Sequence, residues 1–133
     1  MANLIALDVG TKRIGVAVAD TVVPVAIPLT TLDVDGTELD AVRKLVQERS
    51  IEKVIVGYPR NQAGDATEQT AISEAFGQKL QEFTEVAFQD ESLTSVVAEE
   101  RLKASGKPYD KTDIDAVAAT IILQDYLEAN YGS

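Results

Sequence analysis

Residues 4–20, LIALDVGTKRIGVAVAD, decide how the rest of the chain is arranged. Two apolar runs, Leu4-Ile5-Ala6-Leu7 and Ile14 to Val18, flank the polar turn Gly10-Thr11-Lys12-Arg13, the signature of a β-hairpin. With Thr11 and Lys12 in the turn, Asp8 stands opposite Gly15 and Asp20 opposite Asn3. Asp8 is the exception in an otherwise apolar strand. A carboxylate there must give up water, which is costly unless a cation or hydrogen-bond donors compensate. Bracing the turn through backbone N–H groups is one such compensation; a bound cation is the other. Gly15 withholds a side chain where something must approach that carboxylate.

After the hairpin, residues 25–32 (VAIPLTTL) form a third strand, and Pro24 and Pro28 place it at an edge or a bulge. Thr37 caps a helix to about Arg49, with Leu39, Val42, Leu45 and Val46 as its apolar stripe. Val54-Ile55-Val56-Gly57 is short and continuously apolar, as in a strand buried by parallel neighbours. A polar loop, 58–65, leads into a helix over about 66–83 with Ile72, Ala75, Phe76 and Leu80 on one face. Residues 86–89 are another buried strand, ending in Asp90-Glu91. Thr94 caps a third helix to about Lys103, broken by Ser105-Gly106-Lys107-Pro108, and the last helix spans about 113–129. The order β-β-β-α-β-α-β-α-α predicts three antiparallel strands extended by parallel ones, a mixed sheet with helices on both faces. That pattern suits a ribonuclease-H-like fold in a single domain, 1–133.

Composition narrows the chemistry. The chain of 133 residues has 45% hydrophobic and 26% charged residues, ample for one packed core. No long apolar run or signal peptide is present, so no membrane association is expected and the cytoplasm is the expected compartment. Cys and His are both absent. Disulfides, thiolate nucleophiles, Ser-His-Asp triads and imidazole-bound zinc are therefore excluded. Any proton or metal chemistry rests on Asp, Glu, Lys, Tyr and water, and carboxylate oxygens favour Mg²⁺ or Mn²⁺. A net charge of −10 argues against non-specific coating of nucleic acid but permits a local grip.

A two-metal nuclease needs carboxylates converging from distant segments on cations about 4 Å apart. Asp8 is the first candidate. Asp20 is five residues away along the hairpin, about 16 Å at strand rise, and cannot share its metal. Asp90 and Glu91 end a buried strand, where active groups gather in such sheets, and at most one faces the site. Asp115 lies near the start of the last helix, where Thr112 to Asp115 resembles a capping box. Yet Asp115 shares a face with Ala118, Ala119 and Ile122, small enough to let the helix carry it inward, while Asp113 suits a cap. Lys12 and Arg13 on the turn, with Arg60 and Asn61 in the following loop, are candidates for substrate phosphate. The densest run of cations is Arg101, Lys103, Lys107 and Lys111.

LDVGTKRIGVAVAD, VIVGYPRNQAG, DESLT and IDAVAATIILQDYL, in this order, resemble the YqgF family, also called RuvX. Its members are Holliday-junction-resolvase-like proteins described as candidate pre-16S rRNA nucleases. The resemblance covers essentially the whole chain. It implies a fold similar to RuvC and ribonuclease H, and three acids on divalent metal: Asp8, Glu91 with Asp90 as the alternative, and Asp115. By this resemblance Asp8 would bridge two Mg²⁺ or Mn²⁺ ions, with Glu91 and Asp115 completing the shells. Members usually carry Thr-Glu after the glycine of the second motif and Arg after the acid pair; here Asp65, Ala66 and Ser92 stand instead. The implied role is maturation of the ribosomal RNA precursor at its 5′ end, with resolution of branched DNA as the alternative and a non-catalytic interaction protein as a third. The implied partner is nucleic acid, and the chain is a monomer or a homodimer. Asp-x-Gly-Thr also resembles the phosphate loop of actin-like ATPases, but those need two domains, and this length supplies one.

Overall fold

The hairpin forms with the register its turn dictates. β1 (Asn3–Val9) pairs antiparallel with β2 (Arg13–Asp20), setting Asp8 against Gly15 and Asn3 against Asp20. The Gly10 N–H donates to the Arg13 carbonyl at 2.9 Å and closes the turn. The computed structural model describes residues 2–59, 63–91 and 94–131, with the side chains of 91 and 94–96 outside the described set.

The remaining elements follow as β3 (Ile27–Asp33), α1 (Glu38–Glu48), β4 (Ile51–Pro59), α2 (Glu68–Leu80), β5 (Glu85–Glu91), α3 (Thr94–Ser105) and α4 (Lys111–Tyr131). The sheet order is β3-β2-β1-β4-β5. β3, β2 and β1 are antiparallel, and β4 and β5 join parallel, giving the expected mixed five-stranded sheet. β3 is an edge strand, and its register shifts where Thr30 faces Val16 but Pro28 faces Ala17, leaving Leu29 as the extra residue. A proline without an N–H is tolerated at such a place.

Alternation along β1 divides the core. Leu4 and Ala6 pack with Ala119, Ile122, Leu123 and Leu127 of α4. Ile5, Leu7 and Val9 pack on the other face with Val42 of α1 and Leu80 of α2. α3 lies outside, joining α4 through Ala98, Ala118 and Ile121. Among the described residues no helix is long and apolar enough to cross a membrane.

Four local expectations are corrected. Thr37 stands at the start of α1, but its hydroxyl donates to Asp35 at 2.5 Å and makes no cap. α2 is shorter than 66–83, capped by Thr67 and Thr70, and buries Thr70, Ser73, Gly77 and Leu80 rather than Ile72 and Ala75. The reason is Gly77: a Cβ there would lie 2.5 Å from the Phe88 ring, so the missing side chain lets β5 meet the helix on this face. β4 is longer than 54–57 and runs Ile51–Pro59, taking Tyr58 and Pro59 from the expected loop. Finally, α4 is capped two residues earlier than expected. The Asp110 carboxylate accepts the N–H of Thr112 and Asp113, and Asp113 accepts the Asp110 N–H at 3.0 Å, a reciprocal box with no part for Asp115. The cap expected at Thr94 lies outside the described residues.

Candidate active site

Asp8 is the only charged residue in β1 and lies on the face that α4 covers. Its partner across the hairpin explains how α4 reaches it. A Cβ on Gly15 would stand 1.9 Å from the Asp115 carbonyl oxygen and 2.9 Å from the Ala116 nitrogen. The backbone of α4 therefore rests directly on β2 at the level of Asp8, and the approach that Gly15 permits is that of a helix. The small residues Ala116, Ala118 and Ala119 are buried along it.

This contact brings two acids from opposite ends of the chain together. The Asp8 carboxyl is pushed up from 3.8 to about 6, chiefly by burial and secondly by the negative charge of Asp115. Asp115 is held in turn by Arg13, whose Nε–H donates to Oδ2 at 2.6 Å. Both side chains are well covered, at 29% and 20% exposure, so the pair is partly desolvated. Arg13, expected to face substrate phosphate, is placed on Asp115, whereas Lys12 is exposed at the hairpin tip.

α2 supplies two residues that the sequence reading did not single out. The Gln69 side-chain amide donates to the Val9 carbonyl, and the Thr70 hydroxyl donates to the Pro59 carbonyl. They tie the start of α2 to the ends of β1 and β4, next to Asp8. The available signal was two polar residues in the first turn of a helix that follows a buried strand.

β5 ends on the same side of the sheet. Tyr58 pairs with Asp90 and Pro59 with Glu91, with β4 intervening between β5 and β1. Asp90 is exposed and alternates with Phe88 and Val86, which pack toward α2, so it occupies the face away from Asp115. The Glu91 side chain, Arg60 and Asn61 lie outside the described residues. Among the described residues no three carboxylates gather into a metal-binding cluster. In the cationic run, Lys103 pairs with Glu99 at 3.7 Å along α3.

The family model for RuvX, described as Holliday junction resolvase, matches residues 2–129. The chain belongs to the RuvX family. Relatives named as candidate pre-16S rRNA nucleases share this RuvX sequence closely. One from Chloroflexus aurantiacus is 43% identical, over 95% of this chain and 86% of that protein. Another from Lactococcus lactis subsp. cremoris is 39% identical, over 97% and 96%. Among solved structures, Thermus thermophilus RuvC in complex with a Holliday junction substrate superposes with a TM-score of 0.59 at 15% identity, covering 99% and 97% of the two chains. The fowlpox virus resolvase bound to junction DNA gives 0.54 at 13% identity, covering 96% and 97%. At these identities the likeness is one of fold, and it is the ribonuclease-H-like fold expected from the strand and helix order.

Proposed function

We propose that this RuvX chain is a metal-dependent nuclease that hydrolyses phosphodiester bonds, acting on the 5′ region of the small-subunit ribosomal RNA precursor. The observation that carries the reading is the convergence of Asp8 and Asp115, joined by the helix seated on Gly15. Two carboxylates in a partly desolvated site repel, and a divalent cation is the partner that relieves the repulsion. The donor set fits such an ion: oxygen ligands alone, in a chain without His or Cys.

Asp8 and Asp115 would hold Mg²⁺ or Mn²⁺, with Glu91 as the third acid. Glu91 is preferred to Asp90 because Asp90 belongs to the face that carries Val86 and Phe88. When bound, the cations supply activation of water and stabilisation of the leaving oxygen. The protein's own residues do the rest. Arg13 fixes the orientation of Asp115, Gln69 fixes the strand end beside Asp8, and Lys12 offers a charge at the tip for backbone phosphate. Arg60 and Asn61 are further phosphate ligands of this reading.

The deciding experiment sets single-stranded precursor rRNA beside a four-way DNA junction, each with Mn²⁺, chelator and the Asp8→Asn variant. Cleavage of the RNA, lost with chelator and in Asp8→Asn, is the expected result. Cleavage of the junction alone moves the activity to branched DNA. No cleavage of either, with metal still bound, replaces the enzyme by an interaction protein.

A further inference from the structure

Half of the apolar stripe that periodicity assigns to α2 is in the core, Leu80 with Phe76 against it, and half is not. Ile72 is 37% exposed and Ala75 is exposed, because the helix is turned so that Gly77 meets Phe88. Ile72, Phe76 and Lys79 instead form one wall of an open cavity of about 240 Å³, whose floor is Val9, Gly10 and Ile14. Val9 and Gly10 are the two residues after Asp8, so the cavity opens at the same end of β1 as Asp8, on the α2 face of the sheet and across that strand end from Asp115.

We propose that this cavity receives a nucleobase of the bound strand, within a nucleotide or two of the phosphate at Asp8. The inference rests on the nuclease reading above and adds a base subsite to it.

Three features suit a base over other occupants. The lining is apolar, with one aromatic ring at Phe76, and a base is the apolar part of a nucleotide. The lining includes one cation, Lys79, and the neighbouring hairpin turn carries a second, Lys12, whose backbone carbonyl accepts the N–H of the lining residue Val34 at 2.9 Å. In a chain of net charge −10 these two lysines matter, because the net charge repels a polyanion and local cations must offset it. The one acid at the rim, Glu38, has a carboxylate oxygen occupied by the N–H groups of Asp35 and Gly36. Those two donors occupy one Glu38 oxygen and leave the other open, so the sugar–phosphate chain is expected along the Lys79 side of the cavity.

The test uses the full chain and short oligoribonucleotides carrying 2-aminopurine, titrated in chelator so that binding is read without metal-dependent cutting. Quenching of the 2-aminopurine on binding is expected. Ala75→Glu, at an exposed position facing the cavity, should weaken binding at least about tenfold. Ile72→Ser should weaken it in the same direction, and circular dichroism of both variants checks that α2 persists. Wild-type affinity in both folded variants, or an unquenched base in a bound complex, overturns the subsite. Cutting assays with Mn²⁺ keep the two claims apart. If RNA is cut equally by wild type and both variants, only the subsite is lost. If the base is quenched but nothing is cut, the subsite stands and the nuclease reading is lost.

Discussion

The carbonyl oxygen of Asp115 lies 1.9 Å from the point where a side chain on Gly15 would begin, although the residues are a hundred positions apart. Gly15 is thus the seat on which α4 delivers Asp115 to Asp8. Gly15→Ala places a methyl carbon against helix backbone, which has no rotamer with which to yield. Overpacking of this kind costs about 1–3 kcal/mol, and a backbone obstacle puts the cost at the upper end or beyond. The expected outcome is a lower urea midpoint and loss of cleavage. The Asp8 carboxyl, followed by NMR, should titrate lower as Asp115 retreats. A variant with unchanged stability and activity would show that the helix does not rest on this glycine.

Asp8 is a burden to the metal-free fold. A rise from 3.8 to about 6 corresponds to about 3 kcal/mol between its protonated and charged states. A raised carboxyl contributes fully below pH 3.8, and the contribution is lost as pH rises through about 6. Above that, the fold carries a desolvated charge beside Asp115. Asp8→Asn should therefore melt higher than wild type at pH 8, by up to about 3 kcal/mol, and nearly equal to it near pH 4. Mn²⁺ should raise the melting temperature of wild type more than that of Asp8→Asn. An Asn variant less stable at pH 8 would contradict the buried-charge account.

The hairpin register and the antiparallel-then-parallel pairing were legible because a two-residue period, a glycine-containing turn and the alternation of strands with helices leave few alternatives. Asp115 was legible through its alanine neighbours, even though its competing role as a cap was decided by Asp110, two residues before Thr112. The buried face of α2 was not legible. Periodicity favours Ile72 and Ala75, but the helix turns Gly77 to Phe88, a residue of another element that no local pattern reveals. Arg13 was legible as a cation and not as a partner, since its ion pair spans the chain. The choice between Asp90 and Glu91 was not legible, because alternation lets only one face the site and the packing that puts Asp90 on the Phe88 face involves other elements.

Arg13 has two possible duties, and kinetics separates them. If its bond to Asp115 orients that carboxylate, Arg13→Gln should lower kcat about 10- to 100-fold and leave KM for RNA nearly unchanged. Arg13→Lys keeps a charge but loses the planar fork, so it should recover only part of the rate. A rise in KM with kcat preserved would assign Arg13 to substrate phosphate instead.

Gln69 and Thr70 make comparable bonds to different strands, and their variants should differ in kind. Gln69 donates to the carbonyl of Val9, next to Asp8, while Thr70 donates to that of Pro59 and also receives the Thr67 N–H at 2.8 Å. Removing one net hydrogen bond costs about 1 kcal/mol. Thr70 is almost wholly buried and its hydroxyl meets three partners, the Pro59 carbonyl, the Thr67 N–H and the Thr67 hydroxyl, so Thr70→Val should be the more destabilising in urea. Gln69→Leu should lose less stability but more activity, because it frees the strand end that carries Asp8 and the turn that carries Arg13. Measuring the unfolding midpoint and kcat for both variants gives a two-by-two comparison. Parallel losses in the two variants would reduce Gln69 to a packing residue, whereas the crossed pattern makes it a positioning residue for Asp8.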